Sequence, residues 1–524
     1  MPKVLIADKL SPAAVDVFHD KGVEADVRPG LSKDELVAII GDYDGLVVRS
    51  ATRPDADIIA AAKRLKVIGR AGIGTDNIDK KAATAKGVVV MNTPFGNAVT
   101  TAEHAIAMMF AAARQIPEAN TSTQAGKWEK SRFVGTELFG KTLGLIGCGN
   151  IGSLVAERAR GLNMQVIAYD PFLTPERAIE LGVEKVDLET LLKRAQVISL
   201  HTPLTEQTRN ILSAEALGQT REGVIIVNCA RGGLVDEAAL LEGLKSGHIR
   251  AAALDVYADE PARDNALFGA PGLVATPHLG AATREAQENV ALQVAHQISD
   301  YLLTGAVTNA LNMPSVSAEE APRLRPFIDL ADKLGLLAGQ LVASGVKRIE
   351  VSYLGEVAQL NIKPLTSAAL AGVLRPMLGD VNLVSAPALA AERGIVLAET
   401  CQEQLGDYES VISIEVETEN TVRTVAGSLF AGQARVIRTN DVVLDAPFSP
   451  NMLFVENEDK PGFIGALGES LGARGANIAT FNLGRTCQGG EAIALVGLDR
   501  AVDEADLVAV NTLPHVRSAS ALQF

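Results

Sequence analysis

The sequence predicts an α/β protein: two doubly wound, Rossmann-like domains, then an α+β domain, then a small ferredoxin-like unit. Three observations carry this. Short apolar runs alternate with helical patterns from residue 3 to about 92, and again from 142 to about 275. Such alternation builds open parallel sheets with helices on their faces. A glycine-rich turn directly follows the first strand of the second series. Beyond Asn312-Met313-Pro314 the pattern changes to strands of period two.

In the first series, 4–7, 45–48, 67–68 and 88–91 read as strands, and 12–21, 32–40 and 77–86 as helices. Ser32 and Glu35 form a capping box for the second helix. Thr100 and Glu103 suggest another for a helix over 101–115, whose nearly all-apolar stretch 105–113 predicts burial. A polar loop, 121–136, holds the only tryptophan, Trp128, amid Lys127, Lys130 and Arg132. The second series reads as strands at 143–146, 165–169, 197–200, 224–228, 252–255 and 273–275, the inventory of a Rossmann sheet. A long helix over 283–304 leads away. Next come a helix over 325–344 and strands at 348–353, 411–417, 421–430 and 433–438. Pro447 and Pro450 bracket a junction. The last unit reads strand–helix–strand–strand–helix–strand, with strands at 452–457, 478–484, 491–498 and 516–523, a split βαβ plan.

A length of 524 residues suits three to four domains at about 150 residues each. Lys and Arg number 48 against 63 Asp and Glu, a net charge of −15. That balance argues against a general nucleic-acid binder, which needs a basic surface. Apolar residues at 47% argue against disorder. Cys148, Cys229, Cys401 and Cys487 stand far apart with no CxxC pair, so neither a disulfide framework nor a zinc site is expected. The N-terminal apolar run is broken at Asp8, and no apolar stretch reaches membrane length. The expectation is a cytoplasmic protein with no metal, nucleic-acid or membrane partner.

Gly147-Cys148-Gly149-Asn150-Ile151-Gly152 is a G-x-G-x-x-G between a strand and a helix. Glycines there allow a tight turn and close approach of backbone N–H groups to a pyrophosphate, and the helix N-terminus adds partial positive charge. Asp170 ends the next strand, 170 − 149 = 21 residues past the second glycine. A carboxylate at that spacing accepts from the ribose hydroxyls of NAD and repels the 2′-phosphate of NADP. Arg231, Glu260 and His278 each follow one of the last three strands, so a parallel sheet delivers them to one cleft. Their types suit hydride chemistry on a 2-hydroxy acid. An imidazole takes the hydroxyl proton, a carboxylate orients it, and a guanidinium forks onto the substrate carboxylate.

The run Arg70-Ala71-Gly72-Ile73-Gly74-Thr75-Asp76-Asn77-Ile78-Asp79, with the glycine motif and the three strand-end segments, resembles the D-isomer-specific 2-hydroxyacid dehydrogenases over about residues 1–310. The remainder resembles the long form of that family, with an intervening domain and an ACT domain. The resemblance implies NAD-linked oxidation of 3-phospho-D-glycerate to 3-phosphohydroxypyruvate in serine biosynthesis, with L-serine as an effector. It implies a substrate-binding domain of 1–97 plus 283–312, an NAD-binding domain of 98–282, an assembly and allosteric domain of 313–450 and an ACT domain of 451–524. Hinges are expected near Asn97 and Ala282. Carried over by position, cofactor contacts fall on Asn150, Ile151, Asp170, Thr202, Cys229, Arg231 and Asp255, with His278 and the motif glycines beside them. Substrate contacts fall on Arg49, Ser50, Arg70, Gly72 and Asn97. Effector contacts fall on Asn457, Asp459 and Asn477. Lys130 and Arg132 resemble a loop that reaches a neighbouring subunit's site, within a homodimer or homotetramer. Two other readings remain open: a dehydrogenase for an unphosphorylated acid such as hydroxypyruvate, glyoxylate or 2-oxoglutarate, and a non-catalytic NAD-responsive protein.

Overall fold

Residues 1–524, except 318, 343–344, 380 and 404–407, are described by a computed structural model. The first sheet has five parallel strands, in the order Glu24–Val27, Lys3–Ile6, Gly45–Val48, Val67–Arg70, Val89–Asn92. The second has seven parallel strands: Leu273–Ala275, Ile249–Leu254, Val224–Asn228, Val197–Leu200, Thr142–Ile146, Gln165–Tyr169, Glu184–Lys185. Strand order reverses between Thr142–Ile146 and Val197–Leu200, and that switch point opens the crevice where such sheets take ligands. Both sheets are doubly wound, as the alternation predicts. Glu24–Val27 and Glu184–Lys185 escape the sequence reading because these short edge strands carry little apolar signal.

Two glycines fix how the helix Arg284–Thr304 returns to the first sheet. A Cβ on Gly69 would lie 2.5 Å from both Ile298 Cδ1 and Val294 Cγ2, and one on Gly45 would lie 3.4 Å from Ile298 Cγ2. The bare strand surface lets the helix settle against it. The helix Ala98–Arg114 links the two sheets. It starts three residues earlier than the sequence reading, with Asn97 at its N-cap and no side-chain cap. The expected Thr100–Glu103 capping box is therefore absent; the Thr100 hydroxyl lies 3.4 Å from that of Thr283 at the start of the returning helix. The Ser32–Glu35 box forms as expected.

The third sheet runs Val396–Gln402, Val346–Gly355, Ser410–Thr418, Val422–Phe430, Gln433–Thr439, Val442–Pro447. Only its first pair is parallel. Its helix Ala321–Gln340 begins before the expected 325–344, and Ser344 lies outside the described residues. This helix packs on Lys363–Leu378 at backbone distance. A Cβ on Gly335 would sit 2.2 Å from the Ala369 carbonyl oxygen, and one on Gly372 2.2 Å from that of Asp332. The fourth sheet runs Ile478–Arg485, Glu491–Leu498, Asn451–Glu458, Val516–Gln523, all antiparallel. That order, with helices Phe463–Ala473 and Glu504–Asn511 on one face, is ferredoxin-like. Its other face adds Phe454, Ile493 and Leu495 to the core of the third sheet. Among the described residues no helix is long and apolar enough to cross a membrane.

Gly335→Ala is expected to cost about 1–3 kcal/mol, because the new methyl meets rigid backbone rather than a side chain that can turn away. The check is a lowered denaturant midpoint for unfolding of the full chain; an unchanged midpoint would mean that the two helices separate freely.

Candidate active site

The glycine turn is built by backbone contacts that exclude side chains. Gly147 has φ +95, and a Cβ there would lie 2.5 Å from the His201 carbonyl oxygen. A Cβ on Gly152 would lie 2.3 Å from the Gly147 carbonyl oxygen, so the helix Asn150–Gly161 starts directly against the turn. Gly149 caps that helix; no side chain caps its first-turn N–H groups, and a Cβ on Gly149 would meet nothing within 4 Å. Free N–H groups at an open helix N-terminus fit a pyrophosphate.

Asp170 sits at the end of Gln165–Tyr169 beside this turn and accepts from the backbone N–H groups of Cys148 and Phe172, each at 2.8 Å. Asn150, Ile151, Thr202, Cys229 and Arg231 line a cleft lobe of about 690 Å³. Burial pushes the Cys229 thiol well above its usual range, so it stays protonated. The neighbouring His201, which the sequence reading passed over, sits 2.8 Å from Ser199 Oγ through Nε2; burial pushes it down to about 4 and keeps it neutral.

A second lobe of about 660 Å³ adjoins the first, and His278 and Glu260 line both. His278 Nδ1 lies 2.7 Å from Glu260 Oε2. Glu260 also accepts from the Tyr257 N–H at 3.1 Å. Partial burial works to raise the Glu260 carboxyl, but the His278 hydrogen bond and charge and the Tyr257 N–H outweigh it, so the group stays ionised. His278 has φ 57, an uncommon backbone state for a residue with a Cβ. Asp255, fully buried, holds the turn in place: it accepts from the Thr276 hydroxyl at 2.6 Å and the N–H groups of Leu279 and Gly280 at 2.7 Å. Asp255 itself is not among the residues that line either lobe.

The first sheet supplies the opposing wall. Arg49 and Arg70 stand at the carboxyl ends of neighbouring strands. Burial, with Arg231 and Arg49 close by, pushes Arg70 down to about 10. Its Nε and the Oδ1 of Asn97 are buried without a hydrogen-bond partner among the described residues, and both side chains line the second lobe. Gly72, at φ 144, makes room for Arg70: a Cβ would lie 1.5 Å from Arg70 Nη1. Gly74 does the same for Arg231, whose Nη2 would lie 1.7 Å from a Cβ. Arg231 reaches across to Asp76 at 2.8 Å, while Asp236 caps the helix Glu237–Ser246.

Sequence reasoning missed three supports here. Asp8 accepts from Arg49 N and Thr52 N, and Asn77 donates to the carbonyls of Arg49 and Thr52 at 2.7 and 2.6 Å, so both fix the Arg49–Ser50 loop. Arg53 lines both lobes. The R-S-x-x-R spacing was the available signal for Arg53.

Comparison with known proteins agrees with this geometry. Residues 106–280 match the D-isomer specific 2-hydroxyacid dehydrogenase NAD binding domain, and 323–440 match the D-3-phosphoglycerate dehydrogenase intervening domain. The D-3-phosphoglycerate dehydrogenase of Archaeoglobus fulgidus is 43% identical over 92% of this chain and 92% of its own length. That of Methanocaldococcus jannaschii is 40% identical over 100% of both.

The chain belongs to the D-3-phosphoglycerate dehydrogenase family.

It is an NAD-dependent oxidoreductase acting on a small molecule. A solved glyoxylate reductase from Paecilomyes thermophila superposes with a TM-score of 0.56 at 31% identity, covering 59% of this chain and 98% of that one.

The dehydrogenase keeps other expected residues away from this cleft. Asn457 is buried, with its Oδ1 unpartnered; Asp459 is held by Arg485 and the Gly489 N–H, which depress its carboxyl, and Asn477 by Asp499. Trp128 is 87% exposed on the 121–136 segment, where Arg132 pairs with Glu129.

Gly74→Ala should dislodge Arg231 from Asp76 and lower kcat/KM at least about tenfold, with NADH binding little changed. Steady-state kinetics beside fluorescence titration of NADH checks this; full activity would show that Arg231 finds its place without the glycine.

Proposed function

We propose that this dehydrogenase oxidises 3-phospho-D-glycerate to 3-phosphohydroxypyruvate in the cytoplasm, in the phosphorylated route to L-serine. The observation that supports it most is the convergence of Arg49, Arg70 and Arg231 on the two lobes of one cleft, with Arg70 half-buried and its pKa depressed first by that burial and then by the like charges of Arg231 and Arg49. A phosphorylated carboxylic acid relieves that repulsion. In this reading Arg49, Ser50 and Arg70 receive the phosphate, and Gly72 and Asn97 shape the floor beneath it. Arg231, with Nε donating to Asp76 and Nη1 to the Ala230 carbonyl, turns its remaining N–H groups to the substrate carboxylate and 2-oxygen.

Asn150, Ile151 and the glycine turn hold the pyrophosphate, and Asp170 the ribose. NAD held there would supply the acceptor for the hydride that leaves carbon 2. His278, donating Nδ1–H to Glu260, presents Nε2 as the base that takes the hydroxyl proton, and Glu260 stabilises the imidazolium that results. Closure about Asn97 and Ala282 brings the two walls together and excludes water.

The glyoxylate reductase likeness keeps a second reading in view, reduction of an unphosphorylated 2-oxo acid. The buried, unpartnered Asn457 Oδ1 and the uncapped helix Phe463–Ala473 behind Gly462 support an L-serine site in the C-terminal unit. Exposed Ile116, Trp128, Val134 and Phe139 on and after the linking helices support a homo-oligomer, with Lys130 and Arg132 reaching toward a second copy.

NADH oxidation is expected with 3-phosphohydroxypyruvate at a kcat/KM at least about a hundredfold above hydroxypyruvate, glyoxylate or 2-oxoglutarate. Equal rates would remove the phosphate assignment. His278→Ala should lower kcat about a hundredfold or more with NADH affinity retained; a fully active variant would overturn the proton-transfer role. Added L-serine should inhibit the wild-type chain and act more weakly on Asn457→Leu.

A further inference from the structure

Behind the turn that carries His278 lies a histidine that touches neither lobe of the cleft. His104 sits on the inter-sheet helix Ala98–Arg114, about one-fifth exposed, with Nε2 3.3 Å from Asp255 Oδ1 and 3.4 Å from Thr276 Oγ1. The proton balance fixes its state at that nitrogen. Asp255 is a carboxylate and only accepts. Thr276 already donates its proton to Asp255 at 2.6 Å and has only lone pairs left. Both neighbours are acceptors, so His104 Nε2 carries the hydrogen and shares it between them.

Asp255 would otherwise be a fully buried carboxylate whose charge rests on two backbone N–H groups and one hydroxyl. Burial works to raise its pKa, while His104 leads the hydrogen bonds that bring it below its usual range. The two N–H groups belong to Leu279 and Gly280, immediately after His278. One helical turn before His104, the Thr101 hydroxyl lies 3.0 Å from both the Gly280 and the Asn97 carbonyl oxygens and shares its one proton between them, so the same helix touches this turn at a second point. The helix also begins at Asn97, on the floor of the substrate lobe.

We propose that His104 is a positioning residue: through Asp255 and Thr276 it holds the backbone at 278–280 so that the His278 ring meets the substrate hydroxyl. This rests on the proton-transfer reading of His278. Its effect belongs in turnover rather than in binding, because His104 itself lines neither lobe and reaches the cleft only through Thr276 and the turn behind His278. A misplacement of the base by a fraction of an ångström is enough to matter.

The experiment compares His104→Leu, His104→Met and His104→Gln in the full-length dehydrogenase. Leu and Met remove the donor, Met nearly filling the space; Gln restores an N–H. Expected are a kcat about tenfold lower in the Leu and Met variants, KM and NADH dissociation constant within about twofold of wild type, and recovery of most of kcat in the Gln variant. Wild-type kcat in either donor-free variant overturns the proposal. So does a loss that appears equally in NADH affinity, or a Gln variant no better than Met. His278→Ala separates the two levels. If it is fully active, the proton-transfer reading falls and takes this proposal with it. If it is inactive while His104→Met is fully active, only the role of His104 falls.

Discussion

The cleft depends on positive charge held out of balance. The chain as a whole carries −15, yet Arg49, Arg70 and Arg231 converge where the two parallel sheets face each other. Among the described residues only Asp76 pairs with any of them, at Arg231. Confining guanidinium groups in this way costs free energy in the unliganded protein, and the cost falls when an anion enters. Much else in the first domain serves that confinement. Gly72 and Gly74 give up side chains so that Arg70 and Arg231 can lie flat against the backbone, and Asp8 and Asn77 hold the Arg49 loop by its main chain rather than by its charge.

The opposite wall works by rigidity. His278 and Glu260 are exposed to the cleft, but the backbone that bears His278 is fixed from behind by a buried carboxylate. Asp255 bonds a hydroxyl and two backbone N–H groups, each at 2.7 Å or less. A charged acceptor makes these bonds roughly twice as strong as neutral ones, which offsets the strain of a positive φ at His278. The first sheet thus contributes Arg49 and Arg70, and the second a pinned His278 ring together with Arg231, which reaches across to Asp76.

Most of the fold was legible in the sequence because parallel sheets advertise themselves through continuous apolar runs, as at Val224–Asn228, where every residue is buried. The site was legible for the same reason: strand ends face the cleft, so the residues after each run could be named without coordinates. The helix Lys363–Leu378 and the strands Val396–Gln402 and Val442–Pro447 also went unread, and part of what stayed hidden follows from two physical limits. Short edge strands such as Glu184–Lys185 have no buried face and so no pattern. Long-range polar contacts leave no local trace: nothing near His104 in the chain indicates Asp255, 151 residues away (255 − 104 = 151). The Thr100–Glu103 box had the right letters, but the backbone entered the helix earlier because packing of Ala98 and Thr101 favours it.

The junction to the C-terminal domains shows how far the first sheet extends. Residues 309–312 do not hang as a free tether. They run antiparallel along Val89–Asn92: Leu311 donates to the Val90 carbonyl, Asn92 to that of Asn309, and Asn312 bonds both Val90 N and the Val88 carbonyl. The linker is therefore a sixth, edge-closing element of the first sheet, which also shields the edge at Val89–Asn92. At the far end of the same strand, Asn92 donates to the Ile73 carbonyl and Thr93 to that of Gly72. One strand of four residues thus lies between the start of the intervening domain and the loop that seats Arg70. The 214 residues beyond 310 (524 − 310 = 214) are joined to the chemistry by hydrogen-bonded backbone rather than by chain connectivity alone.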